Sequence, residues 1–220
     1  MPVVPHSFLF RFQFPVQHVA AIPRKGRGLL DLPESCLLAH LDDSKDGARF
    51  AQVRVGWNEG GLGFSVDVAG KKALPECDLK SPAESDGLQV WIDTRNTQSI
   101  HRASRFCHHF CVLPAGSGKK GESPAAVQLP IPRGPEDAPI ADSKEMPVAV
   151  ERRADGYRLE VWLPADILHG YDAQASPLLG FYYLVRDAEL GEQYLSVGRD
   201  FPFAHDPSVW STLELRGARK

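Results

Sequence analysis

"DGLQVWIDTRNT" (86–97) and "YRLEVWLPADIL" (157–168) decide how this chain folds. In the first, Leu88, Val90 and Ile92 alternate with Gln89, Trp91 and Asp93. In the second, Tyr157, Leu159, Val161 and Leu163 alternate with Arg158, Glu160 and Trp162. Successive side chains of a strand point to opposite faces, so a period of two predicts strands with one apolar and one polar face. Each polar face carries a tryptophan.

The same period recurs outward from these two runs. "SFLFRFQF" (7–14) sets Phe8, Phe10, Phe12 and Phe14 on one face. "FAQVRVGWN" (50–58) and "LGFSVDVAG" (62–70) read as a hairpin turned by "EGG" (59–61). Further strands are predicted over "CLLAHL" (36–41), "RFCHHFCVL" (105–113), "PVAVERRA" (147–154), "LLGFYYLVRD" (178–187), "QYLSVGRD" (193–200) and "WSTLEL" (210–215). "PADILHG" (164–170) is the one helical turn, with Pro early and Gly at its exit. Evenly spaced short strands without a βαβ repeat predict an all-β fold. The expected form is an antiparallel two-sheet β-sandwich, jelly-roll or immunoglobulin-like, with one or two short helical turns.

The 220 residues, 43% of them hydrophobic, suit a single β-sandwich domain over 1–220. Residues 114–147, rich in Pro, Gly, Ser and charge, read as a long loop or insertion with one short edge strand near "AAVQLPI". A net charge of −3 with dispersed basic residues argues against nucleic acid. No 18-residue apolar run exists to span a bilayer. Four cysteines, Cys36, Cys77, Cys107 and Cys111, are too few for a disulfide scaffold. The N-terminus reads as a strand and not as a signal peptide, so a complete chain is expected in the cytoplasm, and outside it if a leader has been removed. "GSGKKG" (116–121) has phosphate-loop glycine spacing, but Ser123–Pro124 follow where a helix would start, so it reads as a loop.

Two groups of residues could carry chemistry. Sugar binding needs flat aromatic faces for pyranose C–H groups and carboxylates or amides for the hydroxyls. Trp91 with Gln89 and Asp93 supplies that mixture on one strand, and Trp162 with Arg158 and Glu160 on another. Packing of either ring under a loop is the competing reading. Trp57 falls on an apolar face and is expected in the core. The second group is His101, Cys107, His108, His109 and Cys111. Cys107, His109 and Cys111 share a face, and His101 could complete an N/S zinc shell, although alternate side chains on a strand stand ~7 Å apart. A bis-His haem site from His101, His108 or His109 is a further alternative. Glu160 with Asp187 is the carboxylate pair a polysaccharide-active enzyme would use.

Five stretches in order resemble the family 9 carbohydrate-binding modules and their DOMON-like relatives. They are "VRVGWNEGGLGFSVDV" (53–68), "SDGLQVWIDTRN" (85–96), "YRLEVWLPADIL" (157–168), "GFYYLVRDAELGE" (180–192) and "DPSVWSTLEL" (206–215). The likeness spans residues 35–215. It implies a β-sandwich that binds a saccharide without catalysis, with Trp91 and Trp162 stacking and Gln89, Asp93, Arg158 and Glu160 gripping hydroxyls. It also makes calcium possible, with Asp86, Asp93, Asp187 and Glu189 as oxygen donors near strand ends. DOMON-like relatives bind haem, which leaves a haem or metal module centred on 101–111 open beside the saccharide reading. A scaffold or interaction domain without a small ligand is the remaining alternative.

Overall fold

The alternating runs form eleven strands in a computed structural model that describes residues 11–24, 28–41 and 49–217. They are β1 (Gln13–His18), β2 (Ala51–Asn58), β3 (Gly61–Ala69), β4 (Gly87–Asp93), β5 (Cys107–Ser117) and β6 (Ser123–Leu129). β7 (Val148–Arg153), β8 (Gly156–Pro164), β9 (Leu178–Asp187), β10 (Gly191–Tyr194) and β11 (Ser211–Arg216) complete the set. Five single 3-10 turns are the helical elements among the described residues, one of them at Ala165–Ile167 as predicted. No helix among them is long and apolar enough to cross a membrane.

Hydrogen bonds link the strands in the order β6-β5-β4-β9-β11-β1-β2-β3-β8-β7, with β10 on the edge of β9. The path folds over so that its halves face each other. Phe64 on β3 and Phe181 on β9 stack across the interior with centroids 5.7 Å apart. This is the expected sandwich, with β1 as the seam. That strand pairs parallel to both β11 and β2, while the other named pairings are antiparallel.

Inward parity follows the sequence. Val53, Val55 and Trp57 of β2, Leu62, Phe64, Val66 and Val68 of β3, and Tyr157, Leu159, Val161 and Leu163 of β8 are all buried in one core with Leu88, Val90 and Ile92 of β4. Trp57 belongs to this core, and its Nε1 donates to the Val16 carbonyl at 3.1 Å. β4 begins at Gly87, whose φ is +141°, and a Cβ there would lie 2.1 Å from the Val112 carbonyl oxygen. Only glycine lets β4 approach β5 this closely at that point.

Several boundaries depart from the sequence reading. Residues 7–10 of the first predicted strand lie outside the described residues, and β1 starts at Gln13. "CLLAHL" makes a single bridge, Leu37 to Arg54, in place of a strand. Its neighbourhood is instead a 3-10 turn at Glu34–Cys36. The strand predicted at 193–200 ends at Tyr194. In 114–147, β5 runs on to Ser117, the Gly116–Gly121 turn closes with Gly116 N donating to Gly121 O at 2.7 Å, and β6 follows as an edge strand. The "GSGKKG" glycines therefore form a hairpin turn.

Candidate functional site

The two predicted tryptophans emerge on the outer, polar-parity faces of their strands, but on opposite halves of the sandwich. On the β8 side, residues 19–24 and 28–36 lie over Trp162. Ile22, Leu30, Leu32 and Cys36 are buried with it in a second apolar cluster. Burying each such side chain stabilises by about 1.5–3 kcal/mol. Glu160 anchors the cover: its Oε2 accepts from Leu29 N at 2.9 Å and Leu30 N at 3.1 Å, and its Oε1 accepts from Asp31 N at 2.9 Å. Arg158 turns to Asp67, with Nε donating to Oδ1 at 2.9 Å. Trp162 and Glu160 thus attach a segment that has no strand periodicity of its own.

On the β4 side, Trp91 is 2% exposed. One face of its indole is covered by the His109 ring, stacked at 4.2 Å, and Phe203 meets it edge-on at 5.4 Å. Gln89 locks this arrangement. Its Nε2 donates to the Ala83 carbonyl at 2.9 Å, which turns Oε1 toward His109 Nε2 at 3.1 Å. That contact requires a proton on Nε2. Burial selects the neutral ring, lowering the His109 pKa to about 3. The Trp91 Nε1–H is buried without an acceptor among the described residues.

Gln89, Trp91 and His109 floor an open depression of about 340 Å³. Leu129, Pro130 and Pro132, at the exit from β6, form one wall. The other carries Arg186 of β9, Glu192 and Tyr194 of β10, and Arg199. Antiparallel pairing sets Glu192 opposite Arg186, whose Nη1 donates to Oε1 at 3.0 Å. Arg199 Nε donates to Glu192 Oε2 at 2.7 Å, and the Tyr194 hydroxyl donates to the same oxygen. Arg199, assisted by Tyr194 and Arg186 against partial burial, holds Glu192 below the usual carboxylate range. Burial, with Glu192 nearby, pushes the Tyr194 phenol up to about 12. The depression thus combines an aromatic floor and an apolar wall with a fixed, nearly charge-balanced set of donors and acceptors. Arg186, Glu192, Tyr194 and Arg199 were not singled out from sequence, although "VRDAELGEQY" (185–194) held three of them within one hairpin.

Asp93, the third polar residue of β4, caps the following turn. Its Oδ1 accepts from Arg95 N at 2.9 Å and its Oδ2 from Thr97 N at 2.5 Å. The structure therefore brings Gln89 and Trp91 together and separates Asp93, Arg158, Glu160 and Trp162 from them.

The histidines and cysteines do not converge. His101 is exposed beside Asp206, His108 points inward to Gln128 and the His169 carbonyl, and His109 faces outward on Trp91. Cys111 Sγ lies 3.7 Å from His109 Nε2, and Cys107 is beside Ser104. Among the described residues no three His, Cys, Asp or Glu side chains are grouped to hold a metal. His109 and Cys111 approach each other, but Cys107 and His101 do not join them, and His101, His108 and His109 face different surroundings, which does not fit a bis-His haem site.

Three of the four acids named for calcium do converge, but on a lysine. Lys71 Nζ lies 3.1 Å from Asp86 Oδ2, 3.0 Å from Asp187 Oδ1 and 4.0 Å from Glu189 Oε2. With an ammonium at their centre, these donors do not fit a divalent ion there. Asp187 is thus engaged by Lys71 and Glu160 by backbone amides, so neither stands as a free partner for a hydrolytic pair. At a separate depression, Asp206 Oδ2 and Ser208 Oγ both meet His101 Nδ1 at 3.1 Å. A nucleophile relay needs serine and carboxylate on opposite ring nitrogens, so this trio is a hydrogen-bonded turn.

No family model and no curated protein matches the chain by sequence. Solved structures do match by fold. A family 9 carbohydrate-binding module from Caldicellulosiruptor kristjanssonii in complex with cellotriose superposes with a TM-score of 0.64 at 12% identity, covering 94% of this chain and 95% of that one. A family 9 module of the same organism in complex with glucose gives 0.63 at 12% identity, covering 94% and 97%. A Bacteroides uniformis ATCC 8492 protein, described as a candidate carbohydrate-binding protein, gives 0.58 at 12% identity, covering 94% and 100%. The fold of this chain is that of the family 9 carbohydrate-binding modules.

Proposed function

We propose that the protein binds a short neutral saccharide, without transforming it, in the depression floored by Trp91. The observation that carries this reading is the pairing of an aromatic floor and apolar wall with a preorganised polar rim. Phe203, Leu129, Pro130 and Pro132 offer surfaces to the C–H groups of a pyranose ring. Arg186, Glu192 and Arg199 offer hydroxyl partners already held in place, which lowers the ordering cost of binding. Two of the structural neighbours hold cellotriose and glucose, so β-linked gluco-oligosaccharides are the first ligands to try.

Of the two tryptophans, Trp91 would act as a buried support for the floor and Trp162 would take no part. Calorimetric titration with glucose and cellotriose tests the proposal. Binding at millimolar sugar is expected, with about tenfold or greater weakening in Arg199→Ala or Glu192→Gln, because each removes a charge-assisted hydrogen bond. Arg199 is largely exposed, so its truncation leaves the fold intact. No heat at millimolar sugar, or equal affinity in both variants, would refute the site.

A further inference from the structure

On the opposite half of the sandwich we infer a second, independent site, for the carboxylate of a sugar acid, centred on Arg158. Here β2, β3, β8 and β7 set three guanidinium groups around one carboxylate. Arg54 Nη1 bonds Asp67 Oδ2, while Arg158 Nε and Arg153 Nη2 each lie 2.9 Å from Asp67 Oδ1. These cations, with burial opposing them, hold Asp67 below the usual carboxylate range. One partly buried carboxylate is shared by three guanidiniums, and the one other acid within ion-pair range of them among the described residues is Glu151, 3.9 Å from Arg153.

The surplus is directed. Arg54 sends its Nη2 to Gln52 Oε1 at 3.2 Å, but Arg158 is held through Nε alone. Its Nη pair has no partner among the described residues, and its side chain is 32% exposed. A guanidinium fixed through one edge with a free fork matches the two oxygens of a planar carboxylate. Arg158 opens onto a groove of about 580 Å³ that Arg49, Arg54 and Arg153 also line, while on its other side it borders a depression carrying Asp31, Glu151 and Glu160. Among the described lining residues, four arginines face the single acid Asp67 in a chain whose net charge is −3.

The groove is larger than a bare inorganic anion needs, and Leu37 and Phe50 give it an apolar side. That combination suits a ring bearing an acid group. The inference does not rest on the neutral-sugar depression: the two share no lining residue, although the groove reaches β9 and β10 through Tyr183 and Gln193.

Calorimetric titration with glucuronate, glucose, sulfate and phosphate, at low salt and at 0.5 M NaCl (an illustrative high-salt condition, roughly threefold physiological ionic strength), tests it. Glucuronate is expected to bind, to weaken in high salt, and to lose about tenfold or more in Arg158→Gln. In Arg158→Gln, Asp67 keeps Arg54 and Arg153, so the fold persists; exposed Arg49→Gln, with a smaller loss, is the second probe. Glucose binding at the Trp91 depression should be equal in wild type and Arg158→Gln, which separates failure of one site from failure of the other. Glucuronate binding no tighter than glucose, or indifferent to Arg158→Gln, would overturn the inference. So would sulfate or phosphate binding as tightly as glucuronate, which would make this a simple anion site.

Discussion

Glu160 spends both carboxylate oxygens on backbone amides 129–131 residues earlier in the chain. Truncating it would strip acceptors from three N–H groups, one of them on fully buried Leu30. Glu160→Ala is therefore expected to cost about 3 kcal/mol or more in urea unfolding, with saccharide affinity unchanged. A loss of affinity with intact stability would instead make Glu160 a ligand contact. At this scale the sequence disclosed direction but not occupancy. Parity correctly sent Trp91, Trp162, Gln89 and Glu160 to the outer faces, because pleat geometry is local. What covers them is non-local. The apolar residues of 19–36 carry no period that would announce a cover, and the stacking of His109 on Trp91 depends on strand register.

Between elements, the chief device is the buried Lys71 that ties the exit of β3 to the start of β4 and the end of β9. Lys71, Asp86 and Asp187 are each no more than 3% exposed. Burial disfavours the lysine charge, but hydrogen bonds to Asp187 and Asp86 outweigh it and raise the Lys71 pKa. Lys71→Met leaves two buried carboxylates without their cation, and a loss of about 3–5 kcal/mol is expected. Chelator should leave the wild-type melting temperature unchanged, since a lysine holds this junction. A melting temperature lowered by chelator would contradict that assignment. Sequence reading found the acids, which recur at strand ends, and missed the cation, because nothing in "AGKKA" (69–73) distinguishes a buried lysine from a solvated one. Strand existence was legible for the same reason that parity was. The parallel seam at β1 was not, since pairing direction depends on partners far along the chain.

Over the whole molecule, the two proposed sites differ in charge, the Trp91 depression being nearly balanced and the groove beside Arg158 rich in arginine. Both neutral histidines of β5 also act globally. Burial lowers the pKa of His108 to about 4 and of His109 to about 3. Unfolded histidine titrates near 6.5, so between about pH 6.5 and 4 the unfolded chain binds more protons than the folded one. Stability is then complete above pH 6.5 and falls on acidification, by up to about 1.4 kcal/mol per pH unit for each histidine. Urea midpoints measured from pH 7.5 to 4.5 (bounds chosen to bracket the ~6.5 histidine value) should fall accordingly, with a shallower fall in His108→Gln; a flat profile would mean that both histidines reach solvent.

The most direct test of the saccharide reading is a crystal structure with glucose or cellotriose at saturating concentration. The account predicts a pyranose ring over the Trp91–Phe203 floor, its hydroxyls within hydrogen-bond distance of Arg186, Glu192 or Arg199. Sugar density confined to another face, or an empty depression at saturation, would contradict it.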